Sequence, residues 1–460
     1  MNTIVLKKNA YLRIFFNYNL TAIGKSPIFA AIKCVNTQYF KFKMEIKRDV
    51  YLKKFIESKH NGLIKIITGM RRCGKSYLLF TLFYNYLIEE GVSYDHIIRV
   101  DLEDRRNKSL RDPDALMEYI DSKMVDAQMY YILLDEVQHV KEFEDVLNSY
   151  LKVKNADVYV TGSNSKFLSK DVITEFRGRG DEIKVSPLCF REFISVYTGS
   201  REQALAEYLT YGGLPQVVTI ADETKKMEYL NNLFKKVYLT DIKERYKIKN
   251  DSDLEELIDI TASSIGGLIN PVKIENTYSS VKHSKISYPT IKNYLDILQD
   301  AFLLEKSIRY DIKGRKYINT PAKYYFSDIG LRNARINFRQ QELTHLMENM
   351  IYNELRIRGL YVDVGVVVVN TKNEQGISQR KQLEVDFVCN QGSNRFYIQS
   401  ALRLPTQQKR EQEVRSLKSI DDSFLKFVIT EDPIKKYHDE NGVVFMNIYE
   451  FLMDGESLKG

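Results

Sequence analysis

The stretch Leu63–Ser76, LIKIITGMRRCGKS, sets the reading of this 460-residue chain. Leu63, Ile64, Ile66 and Ile67 form a short apolar run that predicts a buried strand. The strand runs straight into Gly69-Met70-Arg71-Arg72-Cys73-Gly74-Lys75-Ser76, which fits the pattern G-x-x-x-x-G-K-[ST]. Glycines at both ends let the backbone curl so that successive N–H groups converge on one anion. A helix beginning at Lys75 would aim the positive end of its dipole at the same point. Lys75 is expected to reach the β- and γ-phosphates of ATP, and the Ser76 hydroxyl to coordinate Mg²⁺. Residues Gly69 to Tyr77 are thus the expected nucleotide-binding set.

A complement lies downstream. Tyr130-Tyr-Ile-Leu-Leu-Asp135-Glu136 reads as a buried strand ending in two adjacent carboxylates. Asp135 is expected to hold Mg²⁺ opposite Ser76, and Glu136 to polarise the attacking water as general base. A further strand, Ala156 to Gly162, ends in Ser163-Asn164-Ser165. There Asn164 is expected to sense the γ-phosphate, an ordinary turn being the competing reading. Arg177 and Arg179 precede another strand, Asp181 to Val185. Arg179 could steady transition-state charge at a neighbouring subunit, which would require self-association. The competing reading is a solvated loop residue, the commoner case for an arginine in such a position.

Strands alternate with helices from residue 44 to 186: a helix before the first strand, a strand His96–Leu102, and a helix opened by Asp112-Pro113. This alternation predicts an α/β fold whose parallel sheet carries helices on both faces and its ligand at the strands' carboxyl ends. In the first helix, Arg48 or Tyr51 could lie against an adenine. Core packing is preferred, because apolar stripes at helical spacing are usually core.

The motifs GMRRCGKS, YYILLDEVQ, TGSNSKFLS, RGRGDEIKVSPLCFREF and YGGLP together resemble a prokaryotic family of AAA+ P-loop ATPases with a C-terminal domain of unknown function. The resemblance covers residues 44–460. It implies that Gly212-Gly-Leu-Pro215 contributes to nucleotide sensing. Members of this family typically begin just before an IKRDVYL-like helix, which implies Met44 as the true start.

Bulk composition narrows the classes. With 44% apolar and 28% charged residues, the chain is ordinary for a globular protein of two or three domains. No run of about 18 uncharged apolar residues occurs, so no membrane span is expected. Cys34, Cys73, Cys189 and Cys389 show neither metal spacing nor a disulfide framework, which suits a reducing, cytoplasmic setting. The net charge of +7 resides in residues 1–43, which hold seven basic residues and no acidic ones. The rest of the chain is balanced, so global charge gives no support to nucleic-acid binding. Residues 1–43 are read as a disordered arm or as upstream sequence.

Residues 187–250 are expected to form a helical lid. In 251–330, three helices and a hairpin predict a winged helix. Its third helix offers Lys285 and Lys292 but also Asp296 and Asp300, and a DNA-reading helix is usually more basic, so domain packing or protein contact is at least as well supported as DNA binding. Residues 331–460 open with a helix bearing Glu348, followed by strands carrying Asp386 and Gln399. This order resembles the PD-(D/E)xK nuclease fold, whose metal site needs two acidic groups and a lysine. The lysine position here is Ala401. Either Lys381 substitutes or the domain no longer cuts, and the missing group favours an inactive, nuclease-like domain. The chain therefore reads as an Mg²⁺-dependent ATPase that drives or gates domain rearrangement. The alternatives are a slow nucleotide switch or DNA-binding regulator, and an active nuclease.

Overall fold

The computed structural model describes residues 45–162, 178–248, 250–282, 286–339, 342–372 and 378–459. The expectations for residues 1–43, Met44, Asn164, Arg177 and Lys285 lie outside the described residues.

Five strands form the first sheet: β1 (Ile64–Thr68), β2 (Ile97–Asp101), β3 (Tyr130–Asp135), β4 (Ala156–Thr161) and β5 (Gly180–Lys184). Their order is β2-β3-β4-β1-β5, and every pairing is parallel. All residues of β1 and β3 are buried, as a sheet covered on both faces requires. This order places β4 between the strand feeding the phosphate loop and the strand ending at Asp135. The carboxyl end of β4 thus lies between the two halves of the expected site.

Local signals set the helix starts. Asp112 accepts from the Ala115 N–H at 3.1 Å, capping the helix Pro113–Lys123 with proline at its first position. Behind the phosphate loop, the helix runs from Lys75–Tyr77 through wider π-helical turns, Leu78–Phe83, into Tyr84–Glu89. After β5, short helices dominate as far as Tyr246.

The second sheet is mixed and nine-stranded. It contains β6 (Leu268–Ile269), β7 (Leu304–Asp311), β8 (Lys316–Phe326), β9 (Tyr361–Lys372), β10 (Ser378–Gln391), β11 (Asn394–Ala401), β12 (Leu425–Thr430), β13 (Tyr437–His438) and β14 (Val443–Asn447). Their order is β13-β14-β12-β11-β10-β9-β7-β8-β6. The middle region does have three helices, Asp251–Ser263, Pro271–Thr277 and Tyr288–Asp300, followed by the hairpin β7–β8. That hairpin joins the C-terminal strands through the parallel pairing of β7 with β9. The boundary placed at 330/331 thus falls within a stretch whose flanking strands share one sheet. Periodicity predicts strands but not which edges will pair.

Apolar packing is also continuous. One cluster runs from Ile67 and Leu79 beside the first sheet through Leu230, Leu257 and Leu298 to Phe326. Among the described residues no helix is long and apolar enough to cross a membrane.

Candidate nucleotide-binding site

The phosphate loop follows the carboxyl end of β1, and its glycines are required by geometry. Gly69 has φ +136°, and a Cβ there would lie 2.1 Å from the Val185 carbonyl oxygen. Gly74 has φ +99° and passes close to the Arg48 guanidinium. Lys75 is buried, and its Nζ donates to the carbonyls of Gly69 and Met70, each at 3.0 Å. The ammonium is therefore held inside the curl of the loop, where incoming phosphates would compete for its donors. Met70 and Cys73 are buried and anchor the loop, with Cys73 Sγ 3.4 Å from the Val185 oxygen. Arg72 is exposed and takes a left-handed φ of +65°.

Arg48 is the brace that holds this curl from behind. It is buried, and it donates to the Cys73 carbonyl at 2.9 Å and to the Ser186 carbonyl at 2.7 Å. Its Nε pairs with Glu192 at 3.0 Å, and its guanidinium lies over the Tyr51 ring. Tyr51 is buried too, and its hydroxyl accepts from the Ser186 N–H. Both residues are thus engaged in packing, as preferred from the sequence over contact with an adenine. The helix Asp49–Glu57, the loop and the segment after β5 converge on one guanidinium whose planar fork suits several carbonyl and carboxylate acceptors.

Asp135 ends β3, is buried, and accepts a hydrogen bond from Thr161 Oγ1, with the Ser76 hydroxyl near enough to favour its ionised form as well. Burial pushes its carboxyl up to about 6 despite those two donors. The donors available here, a carboxylate and a hydroxyl, are the hard oxygens that Mg²⁺ takes. Ser76 and Asp135 already meet, so the arrangement fits that ion. Thr161, at the carboxyl end of β4, also accepts from the Glu136 N–H at 3.0 Å. It therefore ties both carboxylate residues to the intervening strand. The sequence reading passed over Thr161 for the polar residues after it; a threonine ending a buried strand was the available signal.

Glu136 has φ +53° and ψ +49°, a left-handed conformation that costs a non-glycine residue about 1–3 kcal/mol. The turn directs the chain away from β3, and the Glu136 carboxylate accepts from the Gln138 amide. Arg179 directly precedes β5, at the end of the sheet opposite the phosphate loop. Five residues of strand separate those two ends by roughly 16 Å. Arg179 is exposed and contacts Asn148 Oδ1 at 3.4 Å. It is not brought to the phosphate loop of its own chain.

Two further segments touch the loop. Arg71 Nε pairs with Asp241 at 2.7 Å, and the Tyr238 hydroxyl donates to the Arg71 carbonyl at 2.8 Å. The helical region after β5 thus grips the loop by the first of its two arginines. Pro215 of the Gly212–Pro215 turn approaches Gly74. The turn is fixed by Asp328, whose carboxylate accepts from the Gly213 N–H at 2.8 Å and from the Leu331 N–H at 3.0 Å. Asp328 is buried and its carboxyl is pushed up to about 6. On the far side of β1, Lys184 stands in register with Thr68 and pairs with Glu305 of β7 at 2.5 Å. Glu305 also accepts from Arg356 at 3.1 Å. Burial opposes its ionisation, but the two cations outweigh it and hold the carboxyl below its usual range.

Residues 61–194 match the family described as AAA domain, and residues 202–342 match a domain of unknown function, DUF8612. A Haemophilus influenzae protein described as uncharacterized is 34% identical over 420 residues, spanning 89% of this chain and 99% of its own. The chain belongs to the family of that Haemophilus protein. It carries an AAA-type P-loop domain, the fold that the five-stranded sheet also displays. The Methanocaldococcus jannaschii protein MJ1544 is 29% identical over 435 residues, 91% of each chain. Among solved structures, the Aeropyrum pernix ORC1 protein in complex with DNA aligns with 65% of this chain and 95% of its own, at 11% identity and a TM-score of 0.30.

Proposed function

We propose that the chain is an Mg²⁺-dependent ATPase whose nucleotide state is read by the helical segment after β5 and by the hairpin β7–β8. The observation that carries this reading is the convergence of Lys75, Ser76, Asp135 and Glu136 at the carboxyl ends of β1 and β3, with Thr161 joining the two carboxylate residues. The loop N–H groups and Lys75 would bind the β- and γ-phosphates, and Ser76 and Asp135 would hold the metal ion. Bound Mg²⁺ would offset the charge that builds on the phosphate oxygens. Glu136 would accept a proton from the attacking water, and its strained turn fixes where that carboxylate projects.

The Arg71–Asp241 pair and the Asp328–Gly213 bond support the gating part of this reading, since each joins the loop or its adjoining turn to a different segment. Arg179 would act at a neighbouring subunit, because its own loop is at the other end of the sheet. Asn164 remains the candidate sensor after β4. The C-terminal strands and the helix Leu343–Ile357 are read as nuclease-like in arrangement, and DNA or protein as what the moving parts act upon.

Phosphate release by wild type and by Glu136→Gln, each with ATP binding measured in parallel, tests the enzyme reading. Wild type is expected to turn over at least about a hundredfold faster while both bind ATP. Equal rates with intact binding would leave a nucleotide-loaded switch instead.

A further inference from the structure

The carboxylates that resemble a nuclease metal site are met by a lysine from a different segment. Glu348 stands on the helix Leu343–Ile357, and Glu384 and Asp386 stand on β10. Lys323 of β8 enters among them. Its Nζ lies 2.8 Å from Glu348 Oε1, 2.7 Å from Glu384 Oε1 and 3.8 Å from Asp386 Oδ1. Tyr325, two residues on, donates its hydroxyl to the same Glu348 oxygen at 2.7 Å. Asp386 Oδ2 accepts from the Ser400 N–H at 2.8 Å.

Lys323 is buried, and a buried ammonium persists only when paired. Glu348 and Glu384 supply that pairing at hydrogen-bond distance with Asp386 a step further off, and the lysine in turn offsets the repulsion among the three acidic groups. Its backbone is also held: Lys323 is in register with Ser307 of β7 on one side and Leu268 of β6 on the other. An Mg²⁺ ion between Glu348 and Asp386 would need their oxygens at about 2.1 Å. The ammonium already occupies that neighbourhood and would repel the ion. The other candidate lysine positions are elsewhere. Ala401 packs with Val385, Tyr397 and Leu417 in an apolar cluster, and Lys381 is exposed. Gln399 Oε1 faces the Asp386 N–H at 3.4 Å.

We propose that Lys323 is the resident cation of this cluster, taking the place of a divalent metal ion and making the nuclease-like centre a metal-free lock between the hairpin β7–β8 and the C-terminal strands. The lock rests on this cluster and not on ATP hydrolysis, so the two readings fail separately.

Mn²⁺ binding to the full chain, followed by electron paramagnetic resonance, tests the lock. Every protein carries Asp135→Asn to remove the nucleotide-site ligand. With Lys323 in place, no Mn²⁺ site sensitive to Glu348→Gln is expected. Lys323→Met is expected to gain such a site and to lose it again when Glu348→Gln is added. Mn²⁺ should raise the melting temperature of Lys323→Met and leave the Lys323 parent unchanged. Because Lys323→Met leaves buried carboxylates unpaired, Lys323→Met/Glu384→Gln is titrated beside it, with the same gain expected. A Mn²⁺ site that is already present with Lys323 and vanishes with Glu348→Gln would overturn the proposal. So would failure of both Lys323→Met proteins to bind Mn²⁺, whether they fold or not.

Discussion

Arg48 donates to the backbone carbonyl of Cys73, 2.9 Å away, in the middle of the phosphate loop. The same guanidinium pairs with Glu192 and with the Ser186 carbonyl, so the loop's curvature is set from outside the loop. Phosphate-binding N–H groups converge only if the backbone between the glycines holds one shape. A buried, always-charged fork with three acceptors on three segments is well suited to that task.

Replacing Arg48 with methionine keeps most of the side-chain volume and leaves the Glu192 carboxylate buried without its partner. Removing one member of a buried ion pair typically costs about 3–5 kcal/mol. Chemical denaturation of Arg48→Met should show a loss of that size, with ATP affinity falling alongside. The double variant Arg48→Met/Glu192→Gln should recover part of the stability but not the affinity, because the Cys73 carbonyl still lacks its donor. Recovery of both would mean that Arg48 serves the fold alone.

Asp135 makes stability and metal binding depend on pH in opposite senses. Burial raises its folded-state carboxyl to about 6, above its ordinary value of 3.8. The contribution to stability is fully present below the unfolded value and is lost as pH rises through about 6. Metal binding runs the other way, because Mg²⁺ requires the ionised carboxylate. The Mg²⁺-dependent part of ATP binding should weaken as pH falls through 6, approaching about tenfold per unit. Titration calorimetry from pH 7.5 down to 5, with and without Mg²⁺, reads that slope.

Thr161→Val keeps the shape of the side chain and removes its hydroxyl. Asp135 loses a donor and the Glu136 N–H loses its acceptor. An unsatisfied buried partner costs about 1–3 kcal/mol, so stability should drop by that amount. The pH midpoint for Mg²⁺-dependent ATP binding should move upward, since the lost hydrogen bond favoured the ionised carboxylate. A stability loss with an unmoved midpoint would separate Thr161 from the metal-binding chemistry.

Arg71→Ala tests whether the helical segment reads the loop. The Arg71–Asp241 pair is about one-third exposed on each side, so its contribution to stability should be under about 1 kcal/mol. The expected effect lies in turnover. Phosphate release should change several-fold while the melting temperature stays nearly constant, and Asp241→Asn should reproduce the change. Unaltered turnover in both variants would remove this contact from the gating scheme.

Much of the AAA-type half was legible because its signals are contiguous. Leu63 to Ser76 contains the strand, the curl and the helix start in fourteen neighbouring residues. Tyr130 to Glu136 likewise places a buried strand and its terminal carboxylates in one run. Such segments carry their own geometry, since backbone conformation and alternation depend on near neighbours. Partners far along the chain were not legible in the same way. Arg48 reaches Cys73 across 25 residues and Glu192 across 144. Thr161 reaches Asp135 only because β4 is inserted beside β3. The missing lysine was sought at 381 and 401, whereas the lysine at the carboxylates is Lys323, brought there because β7 pairs with β9 and carries β8 with it. The sequence by itself determined the phosphate-loop chemistry and the class of the first sheet. The tertiary structure alone decided what braces that loop and what charge neutralises the C-terminal carboxylates. Those choices follow from strand order and from the need of every buried charge to find a partner, neither of which is written in any local pattern.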